Sequence, residues 1–530
     1  MLTLPLDPTD DRANPDFKDA GSCQVWLAQF QLTNLQRAHG QLLTQLNELN
    51  RYPMHGLERL RTLEALRETV DHIQEEMAKK LVAKALPLSE HELMIFVAIT
   101  QLWQAMVGGY QRCLQAYLAG DKKLADIGAM LCQRCLLYGG AAIFEHLRSG
   151  YECNAKFWYQ LHDLYAFAEE HKLHELQFED SLNLYGVSES CRSIYVKTLL
   201  ACYARPAELS RTQLKLLDRW LATWSKEVSV DMRYSTSKGD AQPLAVDLSD
   251  TQGLQTIAQA KGLKLRYLPM VPMSKLLRVK IILLQQGASL EEVGLGELPS
   301  NNVAIELLMF LHECWCEEDK DRSLLRDRIG EQVLFCYTPE MIFAGLKGRV
   351  IGPSFNHNMD NQIRKQQENF GRVVIETKPD KSAFNSHEEW MLDDESVLGA
   401  KLTRQNHAQG RLSLHQLVAV QRYAQQPFRL GAVAWLNISV RGLLQLGISY
   451  LPGTPEPVHV QVASGSLQVA FLMPAVVASR SPASLIVPRN IYKAGGLLQI
   501  THANGAIKNA KMGISVTRGY DYERISFTLN

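Results

Sequence analysis

Two stretches of this 530-residue chain combine residue types and spacing that suit recognition chemistry. The first, Asp394-Glu395-Ser396-Val397-Leu398-Gly399, sets a carboxylate, a hydroxyl and a glycine at i, i+2 and i+5 between two segments that read as strands. A carboxylate at the start of such a turn can accept paired N–H groups from the edge of a planar ligand. Serine adds a short hydroxyl, and glycine lets the backbone turn tightly or approach something bulky. The second stretch, Asp321-Arg322-Ser323-Leu324-Leu325-Arg326-Asp327-Arg328, places Arg322 and Arg326 at i and i+4 just ahead of the strand-like run Val333–Tyr337. An arginine fork grips a phosphate or a guanine Hoogsteen edge with two parallel hydrogen bonds, and its flat face stacks on a base. Each stretch also has a plainer reading. An isolated Asp-x-Ser turn usually satisfies its own backbone, and Arg322 and Arg326 can pair at the surface with Asp319, Asp321 and Asp327.

The elements around these residues fall into two kinds. Residues 1–20, with Pro5, Pro8 and Pro15, read as a loose tail. From 21 to 228 apolar residues recur at three- and four-residue steps, as in Trp26, Phe30, Leu42, Leu46 and Leu49, which predicts an α-helical domain, a bundle or an irregular α-solenoid. Helices are expected at 89–118, with Ser89 as N-cap, and at 121–149, 154–171, 187–203 and 210–227. A small mixed, mostly helical domain follows over 244–317, with a strand at 243–248. Its first helix is expected to start at an N-cap Ser274 and end at Gly287, and a shorter helix to start at Ser289. From about 318 the pattern changes to short runs of β-branched and aromatic residues bounded by Gly, Pro, Asn and Asp. These predict an antiparallel β-barrel over 318–452 and a second β module over 453–530.

Nothing else in the chain carries a comparable constellation. Cys132-Gln133-Arg134-Cys135 lacks a second pair or nearby histidines and lies in an apolar helical run, so it reads as buried thiols, as does Cys314-Trp315-Cys316. Ten cysteines without framework spacing suit a reducing compartment. His162, His171 and His174 read as part of a solvated helical face.

With the strands Leu430-Gly431-Ala432-Val433-Ala434-Trp435 and Gly442–Ile448 behind them, Arg322-x-x-x-Arg326 and Asp394-x-Ser396-x-x-Gly399 resemble the PilZ domain. The resemblance covers roughly Arg322–Leu451. It implies a six-stranded barrel that binds the bacterial messenger cyclic di-GMP, with Arg322, Arg326, Asp394, Ser396 and Gly399 as ligand-binding residues. The chain departs from the family in the gap between the motifs, which is more than twice the usual length. The excess reads as an insertion at about 348–386 holding a polar loop, a short helix and an Arg372–Glu376 strand, and it brings Arg364 and Arg372 closer to the turn.

Composition limits what else the chain does. Lys+Arg and Asp+Glu both number 56, so no global basic field would hold a nucleic acid polymer or an anionic membrane. The N-terminus lacks signal-peptide character and no run of eighteen uninterrupted apolar residues occurs, which points to a cytoplasmic protein with no membrane insertion. No GxSxG, P-loop, HExxH or dinucleotide fingerprint is present, so an enzyme, a metal site or a bound cofactor is not expected. The expected function is that of a receptor or adaptor that binds cyclic di-GMP at the barrel and relays the signal to a protein partner through the helical region. The alternative is a barrel used as an interaction scaffold without nucleotide.

Overall fold

The computed structural model describes Leu2 and residues 4–81, 85–183, 188–296, 300–317, 327–347, 387–405, 410–423, 426–462 and 465–529. It divides into two compact units. One holds most of the helices and a three-stranded sheet, and the other holds two closed barrels and a short α-helix, apart from residues 437–442, which group with the first. The chain is thus a helical N-terminal region followed by antiparallel β-barrels, as the change of periodicity near 318 implies.

The first unit runs α1 (Ala20–Gln29), α2 (Leu35–Arg51), α3 (Gly56–Lys79), α4 (Glu90–Leu118), α5 (Gly128–Ser149), α6 (Ala155–Glu170), α7 (Cys191–Tyr203) and α8 (Arg211–Trp224). Caps define several starts. Ser89 accepts from the Glu92 N–H while Glu92 reaches back to the Ser89 N–H at 2.9 Å, and Ser210 with Gln213 repeats the device. Helix α4 is long and apolar enough to cross a membrane by length and composition alone. In the fold it packs against α2, α3 and α5 and buries Ile95, Phe96, Ile99, Leu102 and Met106, the arrangement of a core helix. Strands β1 (Leu244–Asp247), β2 (Gln255–Thr256) and β3 (Leu265–Leu268) form the small sheet in the order β2-β1-β3. Helices α9 (Val271–Gln285) and α10 (Asn301–Cys316) complete the unit.

Several local expectations are corrected. The stretch 121–149 is interrupted: Asp121 caps a short 3-10 turn at Lys122–Leu124, and α5 begins only at Gly128. Ser274 is not an N-cap. Helix α9 begins three residues earlier, where Pro272 fits because first-turn positions need no N–H, and the buried Ser274 hydroxyl lies 3.0 Å from His312 Nε2. Ser289 caps a single turn, not a helix. His162 is fully buried instead of solvated. Its ring nitrogens sit 2.7 Å from the Tyr195 hydroxyl and 2.8 Å from the Gln252 carbonyl, and desolvation pushes its pKa down. Cys132 and Cys135 are buried on α5, and burial pushes the Cys132 thiol up to about 12, consistent with inert core residues.

In the second unit, β4 (Asp327–Cys336), β5 (Glu388–Glu395), β6 (Gly399–Thr403), β7 (Leu417–Gln421), β8 (Arg429–Ile438) and β9 (Leu444–Tyr450) close a barrel in the order β4-β5-β6-β9-β8-β7. Helix α11 (Pro339–Leu346), which sequence periodicity did not mark, follows β4. The predicted insertion at 348–386, with its Arg372–Glu376 strand, Arg364 and Arg372, lies outside the described residues. Strands β10 (Glu456–Gln461), β11 (Gln468–Met473), β12 (Ser484–Pro488), β13 (Leu497–Thr501), β14 (Ile507–Arg518) and β15 (Tyr522–Leu529) close a second barrel in the order β10-β11-β12-β15-β14-β13. Counted within each barrel, both orders are first, second, third, sixth, fifth, fourth.

The two barrels share one hydrophobic core. Cys336, Ile342, Leu417, Phe428 and Leu430 from the first pack with Phe471, Met473, Ile486 and Tyr522 from the second. Hydrogen bonds reinforce the join: Leu417 N–H donates to the Asp521 carboxylate at 2.9 Å, and Tyr520 N–H to the His415 carbonyl at 2.8 Å.

Candidate functional site

The Asp394–Gly399 stretch joins β5 to β6 at one rim of the first barrel. Asp394 is on β5, opposite Arg328 of β4 and Lys401 of β6. A register shift between Leu392 and Asp394 marks a bulge, the device by which strands re-aim a side chain at a functional edge. Ser396 donates its N–H to the Gly399 carbonyl at 2.8 Å and its hydroxyl to the same oxygen at 3.3 Å. Ser396 therefore closes the turn. Gly399 pairs with Ser449 of β9, and a Cβ built on it would lie 2.2 Å from the Ile448 carbonyl oxygen, so only glycine lets β6 and β9 approach this closely. The three motif residues thus divide their labour: Ser396 and Gly399 shape the turn, and Asp394 is the carboxylate it presents.

Further residues, which motif spacing does not reveal, hold the turn. Tyr450 N–H donates to the Leu398 carbonyl at 2.8 Å. Arg429, the first residue of β8, donates to the Val397 carbonyl at 2.8 Å and to Glu395 at 3.0 Å, with its guanidinium 3.6 Å from the centroid of the Tyr450 ring. The Tyr450 hydroxyl donates to the same Glu395 carboxylate at 2.8 Å. Burial, together with the Glu395 charge, raises the Tyr450 pKa, so the phenol remains a donor. Arg422, just beyond β7, pairs with Glu331 at 3.0 Å and approaches Glu395 at 3.8 Å. The Glu331 hydrogen bond raises the arginine's pKa and lowers that of the glutamate, so both are charged.

The rim therefore brings Asp394, Ser396 and Gly399 together with Glu331, Arg422, Arg429 and Tyr450, contributed by β4, the β7–β8 connection, β8 and β9. The one signal for the added arginines is position, since Arg422 and Arg429 flank the β7–β8 turn in sequence. Arg322 and Arg326 lie outside the described residues. The described chain resumes at Asp327, which pairs with Glu395 beside the turn. Val397 and Leu398, 73% and 64% exposed, form an open apolar tip. Among the described residues no group of three or more His, Cys, Asp or Glu could hold a metal ion.

Comparison with known proteins places both ends of the chain. Residues 21–235 match a family model described as the N-terminal domain of the cyclic-di-GMP receptor FimW, and residues 456–530 match one described as the FimW C-terminal beta-barrel domain. The chain is similar to a cyclic di-GMP receptor. The cyclic-di-GMP receptor FimW of Pseudomonas aeruginosa strain PAO1 is 23% identical over an alignment of 548 positions, gaps included, which covers 93% of this chain and 88% of the relative. The matched stretches correspond to the helical region and the second barrel, with the barrel that bears the turn between them.

Proposed function

We propose that the protein is a cyclic di-GMP receptor. The observation that carries this reading is its similarity, along 93% of its length, to a receptor named for that nucleotide. The first barrel, in this reading, is a PilZ-like site. Asp394 accepts the N1–H and N2–H edge of a guanine, and Arg322 and Arg326 hold phosphate or stack on base, a pairing of forks and planes that suits a dianionic ligand with two guanines. Ser396, Gly399, Arg429 and Tyr450 keep the turn in its binding shape before the ligand arrives, which lowers the ordering cost of binding.

The protein in this reading works without catalysis in the cytoplasm, and its helical region relays occupancy to a protein partner. Titration calorimetry of the full chain with cyclic di-GMP tests the proposal. Saturable binding that falls at least about 30-fold in Arg326→Ala and in Asp394→Ala, with unfolding temperature unchanged, is the expected result. A wild-type protein that takes up no heat and gains no thermal stability from excess nucleotide would overturn it.

A further inference from the structure

We infer that Arg422 is an additional phosphate-binding residue of the first barrel, held in the free protein by Glu331 and Glu395 and transferred from those carboxylates to a phosphate oxygen when ligand arrives. This deepens, and rests on, the reading of the site as a cyclic di-GMP receptor.

The two arginines of this rim that motif spacing missed are in different positions. Arg429 is committed: one nitrogen holds the turn through Val397, another holds Glu395, and its face is 3.6 Å from the Tyr450 ring centroid. Moving it would release the turn that presents Asp394, so it is a positioning residue. Arg422 has no such duty. Its Nε is 3.0 Å from Glu331, its Nη1 is 3.8 Å from Glu395, beyond hydrogen-bonding range, and its guanidinium rests 4.9 Å from the Tyr423 ring centroid. Its side chain is 29% exposed, and Glu331 is more open at 45%. Among the described residues its ion-pair partners are these two carboxylates, and the closer one, Glu331, is open to water. Such pairs are weak in water and screened by salt. A phosphate offers the same charge with more acceptor oxygens and a better geometric match to the fork.

Position supports the exchange. Glu395 directly follows Asp394, and it is shared between Arg422 and the committed Arg429. When Arg422 leaves, Glu395 still has Arg429 and the Tyr450 hydroxyl, so that carboxylate is not stranded. The carboxylate left behind is Glu331, which faces solvent and needs no partner there.

The device predicts opposite effects from neighbouring substitutions. In cyclic di-GMP titrations of the full chain, Arg422→Ala should weaken binding about 10-fold and reduce its dependence on salt, Arg422→Lys should fall between, and Glu331→Gln should tighten binding about 3-fold by removing the competing anion. A merely structural Glu331–Arg422 pair would make Glu331→Gln neutral or harmful. Unchanged affinity in Arg422→Ala, while Asp394→Ala still weakens binding at least about 30-fold, would overturn this inference and leave the receptor reading standing. Absence of binding by the wild-type protein would overturn the receptor reading itself.

Discussion

The two barrels close their strands in the same order yet differ in what their second-to-third hairpin does. In the first, β5 passes to β6 through a tight turn that carries Asp394, closes on Ser396 and is clamped by Arg429 and Tyr450. In the second, β11 passes to β12 through residues 474–483, which contain Pro474, a 3-10 turn at Val477–Ser479 and a Val476–Ser481 bridge but no carboxylate. A shared topology supplies the same rim twice, and a few side chains make only one of them a candidate ligand site. This is how folds generally host function. The second barrel instead contributes Phe471, Met473, Ile486 and Tyr522 to the core it shares with the first. It acts on the site as a support.

That division can be broken experimentally. The largest effect is expected at the shared core. Phe471→Ala, at a residue 1% exposed, should cost about 3–5 kcal/mol and lower the unfolding midpoint of both barrels together in a denaturant titration followed by circular dichroism. If the first barrel unfolded at its wild-type midpoint, the shared core would not couple the two. Next comes Gly399→Ala, whose new methyl meets the Ile448 carbonyl. It should cost about 2–3 kcal/mol, against about 1 kcal/mol for Gly505→Ala in the second barrel, where φ is +83° but nothing lies within 4 Å. Equal costs would mean that β6 and β9 tolerate separation. For binding, Asp394→Ala should lose about 2–3 kcal/mol of cyclic di-GMP affinity, whereas Arg480→Ala, on the corresponding hairpin of the second barrel, should change it by less than about 0.3 kcal/mol. A comparable loss from both would place nucleotide on both barrels. The smallest effect is that of Ser396→Ala. Because its hydroxyl closes the turn, it should cost about 1 kcal/mol in stability and only a few-fold in affinity, the latter regained in part at low temperature where the turn is better ordered.

Much of this organisation was legible in the chain. The helical cap at Ser89 acts within a few residues, so its type and spacing suffice. The same holds for the Asp394–Gly399 turn, where Ser396 answers Gly399 across one tight bend. Ser274 misled because a helix start depends on what the side chain finds in space. There it met His312, thirty-eight residues away in sequence, while Pro272 had already taken the first turn. His162 misled for a related reason: adjacent acids suggested solvent, but Tyr195 and Gln252 came from elsewhere to enclose the ring.

By itself, then, the sequence determined the local structures: helices where apolar residues recur at helical spacing, short strands where they do not, and a turn whose serine and glycine serve its own backbone. Only the tertiary structure decided that β9 lies beside β6, that β8 lies between β9 and β7, and that the order repeats in the second barrel. Strand order arises from long-range pairing, which leaves no fixed spacing in sequence. It alone brings Arg422, Arg429 and Tyr450 to Glu395, and so turns a common short motif into a clamped and charged rim.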